Sequence, residues 1–173
     1  MGVSGLNSAA WKLRDFGLWS SGAGLYSQSV GSKSKRITAM VEQFRDGHLD
    51  PHYLGYFDCF NRRHFYEAHD VLENLWLADK HGANGNFYKG LIQLAGAFVH
   101  LQKNRLRPAA ALFKLARSYL EKYPAEHEQL NLTAICQLIN TWLADLESAS
   151  FNVNPLTSTN APQLKLSHGK RSK

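Results

Sequence analysis

No apolar run in the 173 residues approaches the ~18 needed to span a bilayer. A membrane-spanning helix is therefore not expected. A hydrophobic signal segment is also lacking, because Lys12, Arg14 and Asp15 interrupt the apolar stretch near the start. Met1-Gly2 does not begin a myristoylation pattern, since Leu6 stands where Ser or Thr is wanted. Cysteine is scarce: Cys59 and Cys136 are far apart and in no paired motif, which argues against a disulfide framework or a thiolate zinc site. Both read as small buried hydrophobes in a reducing cytoplasm. An N-terminal transit peptide is the alternative address, because residues 1–36 are rich in Ser and Gly and hold only one acid. Internal repeats and alternating apolar/polar runs are absent, so no strand is expected.

What is present suits one folded domain. Hydrophobic residues make up 44% of the chain and aromatics 12%, enough to build a core. The formal charge of +6 is unevenly placed. Residues 1–36 carry five bases against Asp15, a net of +4, and residues 149–173 carry four bases and no acid, also +4. The stretch 37–148 holds 11 Lys/Arg and 13 Asp/Glu, a net of −2. A mildly acidic centre with no helix-turn-helix or RNA-binding signature speaks against specific nucleic-acid binding by the folded part. The composition predicts an irregular or flexible basic arm over 1–36, a helical domain over 37–148 and a disordered basic tail over 149–173.

The period of the centre is helical. Ile37, Met40, Val41 and Phe44 follow an i, i+3, i+4, i+7 spacing that Gly47 can end. Asp50-Pro51 is a start signal, with Asp as N-cap and Pro at the first helical position, for a helix to about Asn61. Further helices are expected over about 63–79, about 86–103, from Pro108 to about Leu120, and over about 132–147. The predicted fold is all-α, a single compact bundle of five or six helices with short links between antiparallel neighbours.

Two helices carry the polar chemistry. Drawn at about 100° per residue from Phe65, the helix 63–79 places Val71, Leu75, Ala68, Leu72, Phe65 and Trp76 on one apolar arc. His69 and Glu73 fall one turn apart on its border, with Cβ atoms roughly 5–6 Å apart. Asp70 lies further round, and Glu67 points nearly opposite His69. In helix 86–103 a narrow polar strip holds Lys89, Gln93, Gly96, His100 and Lys103, and the lysines there favour a solvated strip. Gln93 and His100 are two turns, about 10 Å, apart and cannot ligate one ion together. Either can separately face His69 and Glu73. Imidazole with carboxylate suits a divalent zinc, iron or manganese ion held by His69, Glu73 and His100. Without metal, His69, Glu73 and Asp70 form an acid–base set. The bland alternative has Glu73 and Asp70 simply hydrogen-bonding His69 in a non-catalytic helical interaction module.

The strings Phe60-Asn61, Phe65-Tyr66-Glu67-Ala68-His69-Asp70-Val71-Leu72-Glu73 with Trp76, and Phe87 followed by Gly90-Leu91-Ile92-Gln93-Leu94-Ala95 and His100, resemble the signature of the domain of unknown function family 309. The resemblance is strongest over 60–104 and extends over about 50–122. It implies a compact helical bundle and a metal-dependent hydrolase, with Glu67, His69, Asp70, Glu73 and His100 as its polar residues and Asn61 and Gln93 as further motif positions. Asp70 stands where Glu is usual, which keeps a carboxylate on a shorter reach. Lys103 and Pro108 replace glycines around the turn after His100. The sequence names no particular partner and is compatible with a homo-oligomer.

Overall fold

The computed structural model describes residues 35–167. The chain divides into two compact units at Arg36/Ile37. Of the first unit only Lys35 and Arg36 are described, so the arm expected over 1–36 lies almost wholly outside the described residues, as does the basic end 168–173. The second unit is helical as expected. Residues 37–41 are helical and tighten into a 3-10 turn at Glu42–Phe44. Then follow α1 (Pro51–Asn61), α2 (Phe65–Ala78), α3 (Gly85–Gln102), α4 (Leu106–Leu120) and α5 (Leu132–Ser148).

Local chemistry sets the helix ends. Asp50 caps α1 by accepting from the His52 N–H at 2.7 Å, and Pro51 fills the first position, where no amide is needed. Arg63 has φ 65°, so α2 cannot begin before Phe65, two residues later than its period suggests. Asn104, at φ 54°, ends α3, while the Arg105 N–H caps the His100 carbonyl at 2.9 Å. Thus Asn104 keeps a helix-ending role in a turn that lacks the expected glycines. Helix α4 begins at Leu106, ahead of the predicted Pro108 start. Proline is tolerated there because amides of the first turn have no intrahelical partner.

The core is aromatic and threads α1 to α5. Phe98 of α3 is fully buried and lies 4.9 Å from Phe65 (α2), 5.3 Å from Phe60 (α1), 5.3 Å from Phe113 (α4) and 5.0 Å from Trp142 (α5), centroid to centroid. Gly90 lets α3 approach the end of α4: a Cβ there would sit 2.8 Å from Leu120 carbons. Residues 90–101 of α3 are buried without interruption. This corrects the expected solvated strip. Gln93 is 4% and His100 2% exposed, and only Lys89 and Lys103 at its ends reach solvent. Lys89 does so across aromatic faces, its Nζ 4.8 Å from the Tyr119 ring centre and 6.0 Å from that of Trp76.

Two further features depart from the sequence reading. A small hairpin, β1 (Glu126–His127) with β2 (Leu130–Asn131), precedes α5, where no strand was expected. Its two-residue turn places Glu128 and Gln129 at φ 48° and 60°, the left-handed conformation such a hairpin requires. Asn131 then caps α5 by accepting from the Ala134 N–H at 2.9 Å. The second departure is the tail. Disorder was expected over 149–173, yet residues 152–167 run back over the bundle, and Leu164 is 3% exposed. Backbone partners supplied by Asn61, Arg63, Gln129 and Leu130 replace the core that the tail's composition cannot build.

Candidate metal centre on helix α2

Helix α2 buries a wider arc than its apolar residues mark. Phe65, Ala68, Val71, Leu72 and Trp76 are inside, as the wheel predicts, but so are His69, Asp70 and Glu73, at 7%, 2% and 3% exposure. Leu75 of the predicted arc is only half-buried, as is Glu67. The wheel put His69 and Glu73 on the border and Asp70 beyond it. In the fold, burial extends past that border to enclose all three.

Their donor atoms converge. One ligand atom from each of His69, Asp70 and Glu73 lies within 4.8 Å of the others. His69 Nδ1 is 3.4 Å from Asp70 Oδ1. That separation is long for a hydrogen bond. It matches the edge, about 3.4 Å, of a tetrahedron whose ligands stand ~2.1 Å from a central ion. Glu73 approaches from the next turn, as an i, i+4 neighbour of His69 must. The donor set is one imidazole and two carboxylates, hard and borderline ligands that suit zinc, iron or manganese.

The other residues selected from sequence lie elsewhere. His100 and Gln93 are buried on α3, and neither belongs to the group of three. Asn61 ends α1 and is engaged with the tail: its side chain bonds the main chain of Leu164. A groove of about 430 Å³ lies over α4 and α5, lined by Lys114, Arg117, Asn140, Leu143, Ala144 and Glu147, and carries none of the selected residues. Among the described residues, no helix is long and apolar enough to cross a membrane.

A family model matches residues 53–112, from the first turn of α1 to the middle of α4. Its description is Domain of unknown function (DUF309). Over these residues the helical domain is similar to this family, as its sequence motifs suggest. The DUF309 segment contains every residue of the α2 cluster together with Asn61, Glu67, Gln93 and His100, while the hairpin, α5 and the returning tail lie beyond it. No curated protein and no solved structure matches the chain.

Proposed function

We propose that the protein binds one divalent metal ion through His69, Asp70 and Glu73, and that the ion serves a hydrolytic reaction. The observation behind this reading is the buried convergence of three donors within 4.8 Å. The resemblance to a family labelled as metal-dependent hydrolases agrees with it. His69 and Glu73 form the pair one turn apart, and Asp70 supplies the third ligand. His100, buried on the adjacent helix, is the candidate for a further ligand. When bound, such an ion would polarise an ester or amide carbonyl and lower the pKa of a bound water. The protein's own contribution is to hold the three donors together on α2, with His69 Nδ1 and Asp70 Oδ1 3.4 Å apart.

A second reading is favoured by that same contact and by the origin of all three groups on one helix. In it the cluster is structural, a histidine packed against two carboxyls in a non-catalytic interaction module. Substitution separates the two. Under the metal reading, His69→Ala and Glu73→Ala each abolish stoichiometric metal uptake in calorimetric titration while helicity is kept. Glu67→Ala leaves uptake intact, since Glu67 projects from the other side of α2. Under the structural reading, both variants lose roughly 1–3 kcal/mol of stability with no metal to lose.

A further inference from the structure

Residues 152–167 contain no helix, and their pairing to the bundle is made largely through main-chain groups. The Asn61 side chain does what a neighbouring strand would do: its Nδ2 donates to the Leu164 carbonyl at 2.9 Å and its Oδ1 accepts from the Leu164 N–H at 2.7 Å. Two residues on, Leu166 forms an antiparallel bridge with Leu130, and the Ser167 N–H donates to the Gln129 carbonyl at 2.6 Å. The segment thus extends the hairpin by its free edge. Leu164 is buried while Lys165 faces solvent, the alternation of an extended strand. Upstream, Gln163 Nε2 donates to the Asn61 carbonyl at 2.8 Å, and the Arg63 guanidinium donates to the carbonyls of Thr157 and Ser158.

The receiving surface therefore reads a peptide backbone at two places and buries one leucine side chain. None of these contacts depends on the segment being joined to α5. We propose that the groove between the end of α1 and β2 is an extended-peptide site for a Leu-x-Leu sequence, filled in cis by Leu164-Lys165-Leu166. When this occupant is displaced, the site accepts the same segment from a second copy of the chain. Adding a strand to a sheet edge is an established mode of peptide recognition, with affinity from the main chain and selectivity from alternate side chains. Fifteen residues separate Ser148 from Leu164, so a flexible tether would hold the cis occupant at an effective concentration on the order of millimolar. The cis state therefore dominates in the unaltered protein.

The test uses the full chain. In Asn61→Ala, amide exchange at Leu164 and Ser167 should rise at least ~10-fold, while α3 amides keep their protection. Asn61→Asp retains an acceptor for the Leu164 N–H and should give a smaller rise. In Leu164→Asp, which removes the cis anchor, a labelled peptide of residues 158–168 should bind with one-to-one stoichiometry. That binding should weaken at least ~10-fold when Asn61→Ala is added, or when the peptide itself carries Leu164→Asp. If Leu164→Asp loses helicity, Leu166→Asp at the less buried position takes its place. Unchanged exchange in Asn61→Ala overturns the proposal. So does peptide binding that ignores Asn61, or released exchange without peptide binding.

Discussion

Replacing Phe98 by alanine tests the packing on which everything else depends. The ring is fully buried and meets an aromatic ring from each of the other four helices at 4.9–5.3 Å. Truncating a buried Phe costs about 3–5 kcal/mol through lost transfer energy and the cavity left behind. The four edge or stacked contacts place this site near the upper end of that range, because rings held by several helices cannot collapse into the space. For a unit of about 130 residues, an unfolding entropy of ~2.1 cal/mol/K per residue converts ~4 kcal/mol into a fall in Tm of roughly 15 °C. Leu77→Ala is the control. Leu77 is 49% exposed, and its loss should cost no more than about 0.5 kcal/mol. Thermal unfolding followed by circular dichroism measures both. A Phe98→Ala variant with unchanged helicity and a Tm within about 4 °C of the parent would show that α3 is not the common core of these helices.

Other expectations follow from burial and titration. Leu94→Asp places a charge at a fully buried position and should prevent folding or lower stability by more than about 4 kcal/mol; a soluble variant with unchanged Tm would count against it. Burial pushes the Tyr53 and Tyr56 phenols above their ordinary value near 10, and their hydroxyls donate to the Glu128 and Leu91 carbonyls at 3.0 and 2.9 Å. Above pH 10 the unfolded chain loses these protons while the folded one keeps them, so their stabilisation is full below pH 10 and is lost as pH rises toward the raised values. Tyrosinate absorbance should then show phenols that ionise only as the helical signal disappears. Early, reversible ionisation of every phenol would contradict their burial.

The helices were legible because each carries its own signal. Helix α1 falls over Pro51–Asn61 because Asp50-Pro51 marks its start, and α5 follows the spacing of Ile135, Ile139, Trp142 and Leu146. The hairpin was not legible: two-residue strands have no measurable period, and its turn uses Glu128-Gln129 in place of the usual Asn-Gly. The returning tail was hidden for another reason. Its order is borrowed from a side chain about a hundred positions earlier, Asn61, so local composition carries no trace of it. At the site, the i, i+4 spacing of His69 and Glu73 was readable from α2 alone. Asp70 was named there as part of an acid–base set and as a motif residue, but its burial was not readable, because the wheel measures where apolar residues lie and not how far neighbouring elements enclose a helix. The same limit misplaced Gln93 and His100 in solvent.

The metal site proposed at His69, Asp70 and Glu73 is tested most directly by the metal content of the 173-residue chain purified without an affinity tag. Elemental analysis should find one zinc, iron or manganese ion per chain, or show one taken up specifically from buffer, and lost in His69→Ala. Metal-free protein that takes up none of these ions specifically, with His69→Ala merely less stable, would contradict the claim and leave the cluster as packing.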